Sequence, residues 1–205
     1  RDFVLVITRK EEFVNVGYFV RDPNGVFFQV DLSPRPSSAS ACADPARDVF
    51  FVIDCSGSMQ GSSITQAKKA LEIFLKGMGK GVNFNIIRFG NDYQKLFPGC
   101  VPYSSKTLQE ALAYLEATEA NLGGTELLRP LREIYSHRTG ELDRRSIVLI
   151  TDGEIGNEED VIALVQRHAA TTRVFPVGIG YGPNEYLLKQ IARVSNGAAE
   201  LISPG

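Results

Sequence analysis

Short runs of consecutive apolar residues recur along the chain, and each stops at a polar turn. The most continuous is Val49-Phe50-Phe51-Val52-Ile53, which reads as a strand buried on both faces, as in a parallel sheet. It ends in Asp54-Cys55-Ser56-Gly57-Ser58. Ile147-Val148-Leu149-Ile150 repeats the pattern and ends in Thr151-Asp152-Gly153. Further strands are predicted over 82–89, 173–180 and 199–202. Asn91 to Pro98 is read as holding a short edge strand reached by a tight turn, because a helical crossover does not fit in so few residues.

Helical stripes separate these strands. Ile64, Ala67, Leu71, Phe74, Leu75 and Met78 form one, and Leu108, Ala111, Leu112 and Leu115 a second. Ser63 with Gln66, and Thr107 with Glu110, are read as the capping boxes that open these helices, and Gly77 and Gly79 as the stop of the first. Leu127, Leu131, Ile134 and Tyr135 mark a third helix. Pro130 conflicts with a start at Glu126, so that helix begins near Pro130 or has an irregular first turn. Asn157 with three acids behind it opens a fourth, and Asn184 opens a fifth that Asn196-Gly197 ends. The expected fold class is α/β: a doubly wound, mostly parallel six-stranded sheet with helices on both faces and one antiparallel edge.

The first residues read differently. Asp2 to Ile7 is a strand candidate, and Val14 to Val20 and Val26 to Val30 flank a turn cluster with an Asn24-Gly25 hairpin signal. Ser33 to Ala46, with three prolines, reads as a linker. The expected organisation is a β-hairpin segment and linker over 1–46, the tail of a preceding β-rich region, and one α/β domain over 47–205.

Composition narrows the function. A chain with 43% hydrophobic and 22% charged residues, net charge −2 and no Lys/Arg cluster favours neither nucleic acid nor an anionic membrane surface as partner. No apolar run approaches the roughly 20 residues of a spanning helix. Cys42, Cys55 and Cys100 make no metal spacing and cannot all pair. Cys55 is expected to pack inward, and the scarcity of cysteine leans toward an intracellular, cytoplasmic setting, with secretion the alternative.

The strand ends carry the candidate chemistry, since a doubly wound sheet places ligands at its carboxyl edge. Asp54, Ser56 and Ser58 are hard oxygen donors with no base beside them in sequence, which suits a hard cation better than a nucleophile. One carboxylate is a weak site. Asp152 and the glycine-rich loop Asn121-Leu122-Gly123-Gly124-Thr125 can complete it.

With Asp-x-Ser-x-Ser, Gly-Gly-Thr and Thr-Asp-Gly in that order, the chain resembles the von Willebrand factor type A domain and its metal-ion-dependent adhesion site. The resemblance implies that Ser56 and Ser58 bind Mg²⁺ directly, with Mn²⁺ or Ca²⁺ as substitutes. It implies that Thr125 binds directly in the ligand-engaged state, while Asp54 and Asp152 act mostly through water. It further implies a protein partner whose Asp or Glu carboxylate completes the coordination, on a monomeric domain within a larger chain. Residues 84–90, 122–126 and 175–180 are most similar to intracellular members that follow a vault/inter-alpha-trypsin domain, and the first 46 residues loosely resemble the segment joining the two.

Other readings compete. Asp54 and Asp152 could simply cap the following helices. A scaffold role, in a larger assembly or an ADP-ribosyltransferase whose catalytic domain lies elsewhere, would use the metal only to stiffen loops. Metal-assisted hydrolysis would need Glu126 or Glu154 as base. Gly178-Ile179-Gly180-Tyr181-Gly182 puts Pro183 where a dinucleotide fingerprint needs its third glycine, no phosphate-loop motif occurs, and Ser58 is misplaced for a nucleophile elbow. His168 continues an apolar stripe and is expected to be a satisfied boundary histidine, and His137 to be solvated. The sequence therefore favours a non-enzymatic binding domain.

Overall fold

The computed structural model describes residues 16–22, 25–31, 47–79, 81–137, 144–180 and 182–202. The strand candidate at Asp2 to Ile7, the 33–46 linker and Cys42 lie outside them. The chain divides into two units. In the first, β1 (Val16–Asp22) and β2 (Gly25–Asp31) pair antiparallel. Asp22 is in register with Gly25, so Gly25, expected in the turn cluster, belongs to β2.

The second unit is one sheet with helices on both faces. Its strands are β3 (Arg47–Asp54), β4 (Val82–Phe89), β5 (Tyr93–Lys95), β6 (Val101–Pro102), β7 (Arg144–Thr151), β8 (Thr172–Ile179) and β9 (Glu200–Ile202). The order is β5-β4-β3-β7-β8-β9. β3 runs parallel to β4 and β7, and β8 parallel to β7 and β9. β5 is the expected antiparallel edge, and the two-residue β6 continues the same edge along β4. Buried Asn85 helps hold that edge, its amide nitrogen donating to Phe97 O (2.9 Å) and its oxygen accepting from Phe97 N (3.1 Å).

The helices are α1 (Ser62–Gly77), α2 (Ser105–Glu116), α3 (Leu128–Ser136), α4 (Glu158–Arg167) and α5 (Glu185–Val194). Alternate residues of β3 feed opposite layers, because side chains of a strand point to opposite faces. Phe51 and Ile53 pack with Ala67, Leu71 and Leu75 of α1 and Ala111 and Leu115 of α2. Phe50 and Val52 pack with Leu131 and Ile134 of α3, Val161 and Val165 of α4 and Leu187 and Ile191 of α5. Both faces of β3 are thus covered, which is why its sequence is a continuous apolar run.

Two predicted caps are corrected. α1 starts at Ser62 from Gly61, whose φ of 80° lies in the left-handed region, and Ser63 makes no capping bond. α2 is opened by Ser104, whose hydroxyl accepts from Thr107 N (3.2 Å) while Thr107 Oγ1 accepts from Ser104 N (2.9 Å); Thr107 is the far side of the box, and Glu110 has no part in it. Ser104→Ala is therefore expected to cost about 1 kcal/mol. Ser63→Ala should stay within about 0.5 kcal/mol, both read from urea unfolding midpoints. Pro130 stands third in α3, where an N–H would have no intrahelical partner, so the proline costs no bond.

The histidines serve the packing. His168 stacks on Tyr135 with ring centres 4.1 Å apart. His137 is not simply solvated: its ring stacks on Phe50 at 6.3 Å and its Nε2 lies 3.4 Å from the Glu133 carboxylate.

Candidate metal centre

Asp54 closes β3 and is completely buried. Its Oδ1 accepts from Ser56 N at 2.9 Å, which folds the chain back just past the strand. Its Oδ2 accepts from Thr151 Oγ1 at 2.6 Å, and that hydroxyl accepts in turn from Gly153 N at 2.9 Å. The carboxylate thereby ties the ends of β3 and β7 together. A 3-10 turn over Gly57–Met59 follows, with Met59 buried beneath it. It brings Ser56 Oγ and Ser58 Oγ to 3.1 Å from each other, with Ser58 at the surface.

The glycine-rich loop is laced onto this turn by main-chain bonds. Gly57 N donates to Gly123 O (2.8 Å) and Leu122 N to Cys55 O (2.9 Å). The segment after β4 supports it from the other side: Asn91 N donates to Leu122 O, and Asn91 Oδ1 accepts from Gly124 N at 2.9 Å. Glycine is required at 123, where φ is 81° and a Cβ would stand 2.4 Å from the Asn91 amide. Thr125, half-buried, is two residues beyond Gly123 in this loop; among the described residues it makes no hydrogen bond to either serine. Asp152 is half-buried beside Thr151, its Oδ1 accepting from Glu154 N (3.2 Å) and its carbonyl from Asn184 N (3.2 Å) at the start of α5. The folded chain thus sets Asp54, Ser56 and Ser58 in one hydrogen-bonded group, with the Thr125 loop and Asp152 attached to the same strand ends.

The electrostatics of the group are unbalanced. Burial pushes the Asp54 carboxyl up to about 6; hydrogen bonds from Ser56 and Thr151 oppose the shift, and the nearby Asp152 carboxylate adds to it. Among the described residues, no Lys, Arg or His forms an ion pair with either carboxylate. Neither aspartate caps a helix, since α1 starts from Gly61 and α4 from Asn157, and the capping alternative is set aside. Two carboxylates and adjacent alcohol oxygens, without a counter-charge, form a donor set that fits a hard divalent cation. No group of three or more His, Cys, Asp or Glu at metal spacing occurs among the described residues, so the fit depends on the hydroxyls.

Thr151 and Asn91, which hold Asp54 and the Thr125 loop in place, carry no sequence signal that marks them for this part. Cys55 is buried, and burial pushes its thiol up to about 12, which removes it as a nucleophile. Glu126, considered as a base, instead accepts from Leu128 N (3.2 Å) at the start of α3.

A family model described as the von Willebrand factor type A domain matches residues 47–201. A von Willebrand factor A domain-containing protein of Dictyostelium discoideum is 38% identical over 173 residues, covering 84% of this chain and 19% of its own length. The chain therefore spans about a fifth of that relative. Among solved structures, the manganese-loaded TRAP protein of Plasmodium vivax superposes with a TM-score of 0.64 at 21% identity, over 73% of this chain and 63% of that one. Proximal thread matrix protein 1 from the mussel byssus, with a zinc-occupied MIDAS motif, gives 0.62 at 18% identity, over 77% and 42%.

Proposed function

The chain belongs to the von Willebrand factor type A domain family, and on that premise we propose that residues 47–205 form a divalent-cation-dependent protein-interaction module. Ser56, Ser58 and Thr125 would hold Mg²⁺ through their hydroxyls, with Mn²⁺ or Ca²⁺ as substitutes, and Asp54 and Asp152 would act through water. The observation that carries the reading is the buried Asp54 carboxylate, with no cationic partner among the described residues, next to two hydroxyls 3.1 Å apart. The manganese and zinc in the two related folds support a divalent ion in this fold.

When bound, such an ion offers an open coordination position to an anionic oxygen, and neutral alcohol donors leave most of its charge uncompensated. The partner in this reading presents an Asp or Glu carboxylate. The chain's own residues do the positioning: Thr151 fixes the Asp54 rotamer, and Asn91 fixes the loop that carries Thr125. A monomeric domain in a longer intracellular protein, following a vault/inter-alpha-trypsin region, is the setting we propose.

Ser58→Ala tests the reading cleanly, because the Ser58 side chain is exposed and among the described residues bonds only Ser56 Oγ. Its effect on stability is expected within about 0.5 kcal/mol. Capture of a protein partner from lysate should require Mg²⁺, fail with chelator, and fail with this variant. If chelator lowers the melting temperature while capture persists, the metal stiffens a scaffold and the proposal is wrong.

A further inference from the structure

Resting on that reading, we propose that the partner segment carries a second acidic side chain, received by Arg129 and Arg132 in the cleft between α3 and β5. The cleft, about 310 Å³, is lined by Tyr93, Arg129, Arg132, Glu133 and Ser136. The four α3 residues are spaced i, i+3, i+4 and i+7, one stripe of the helix, and Tyr93 faces them from the edge strand.

The charges there are unevenly matched. Glu133 is engaged by Lys95 and faces His137. Among the described residues Arg129 pairs only with Asp92, at 3.3 Å, with both side chains more than half exposed. Such a pair is weak and readily exchanged for an incoming carboxylate. Arg132 is exposed and has no ion pair among the described residues. Lys95, Arg129 and Arg132 against Asp92 and Glu133 leave one positive charge in excess, on a chain whose net charge is −2. A guanidinium binds a carboxylate through two parallel N–H donors, so one weakly paired arginine and one without an ion pair among the described residues, on one helical stripe, select for acids rather than for apolar side chains.

The cleft and the metal centre share their supports. Arg129 is four residues after Thr125, no more than about 14 Å of chain. Asp92, which touches Arg129, adjoins the Asn91 that holds Gly124. An extended peptide advances about 3.3 Å per residue, so acids about two to five residues apart reach both places. The first would meet the cation and the second the arginines.

A random-peptide display library, panned in Mg²⁺ and again in chelator, separates the metal centre's contribution from that of the arginines. Against the wild-type chain in Mg²⁺, selected peptides are expected to share two acidic positions. Against R129A/R132A they should keep one, and a synthetic two-acid peptide should bind that variant about tenfold more weakly. Both arginines are exposed, so the melting temperature of the variant should be unchanged. Ser58→Ala should abolish the selection altogether. Peptides with a single acidic position on wild type, or the same two-acid pattern on both chains, would overturn the second site while leaving the metal reading intact. Selection that ignores Mg²⁺ would remove the metal reading and this proposal with it.

Discussion

Asp54→Asn is expected to make the metal-free domain more stable and its metal-bound state far weaker. Asp54 is wholly buried, is pushed up to about 6 by that burial, and among the described residues faces the Asp152 carboxylate with no cation paired to it. Near neutral pH the folded chain therefore holds an ionised carboxylate under conditions that disfavour it. The asparagine oxygen can still accept from Ser56 N. Its amide nitrogen can donate to the second lone pair of the Thr151 hydroxyl, whose first already accepts from Gly153 N. Removing the charge should add about 1–3 kcal/mol in chelator, on the scale of 1.36 kcal/mol per pKa unit. Each kcal/mol corresponds to about 2–4 °C in Tm for a domain of this size. The same change removes the anion that draws the cation in, so divalent-metal affinity should fall about 10- to 100-fold. Thermal melts with and without Mg²⁺ read both effects, and the order of stabilities should cross between them. A variant less stable than wild type in chelator would show that Asp54 is chiefly a structural hydrogen-bond acceptor.

Gly90→Ala should be the most damaging single methyl near the site. A Cβ at 90 would fall 2.4 Å from Leu122 Cβ and 2.5 Å from Leu122 O, and part of that obstacle is main chain. Leu122 belongs to the loop that carries Thr125, and its N–H and C=O lace that loop to Cys55 and Asn91. Gly90 O also accepts from Glu126 N at 2.8 Å. The loop cannot retreat without breaking these bonds, so the expected cost is about 3 kcal/mol, the upper range for overpacking. Metal affinity should fall with it, because Thr125 moves with the loop. Gly99→Ala is the matched control: nothing lies within 4 Å of its Cβ, and it should be nearly neutral. Equal unfolding midpoints for the two variants would show that the 90–92 and 121–126 segments are not held together as described.

The fold was legible in the sequence where burial is continuous. β4 spans Val82–Phe89 as the apolar pattern predicts, bounded by Gly81 and Gly90. β3 and β7 were recognisable because both faces of each are covered, so no polar alternation interrupts them. Caps were less legible, since several hydroxyls compete for one helix end. Ser104 and Thr107 form a reciprocal pair, and reading Thr107 as the opener shifts the box by three residues. β6 is two residues long and contains Pro102, a length and composition that leave no periodicity to detect. At the candidate site, Asp54, Ser56 and Ser58 lie on one loop and could be read locally. Asn91 could not, because its bond to Gly124 spans 33 residues and depends on β4 lying beside β3. Thr151 stood in plain view next to Asp152. Its role depends on the parallel register of β3 and β7, which no local pattern encodes.

The central claim is that oxygens of Ser56, Ser58 and Thr125 gather at one divalent cation backed by Asp54 and Asp152. Crystals of this chain soaked in Mn²⁺ and measured at the manganese absorption edge test it directly. The account predicts a single strong anomalous peak within coordination distance of both serine hydroxyls, weaker in Asp54→Asn crystals soaked at the same Mn²⁺ concentration. Well-ordered loops with no peak between them, or a peak held elsewhere on the domain, would contradict it.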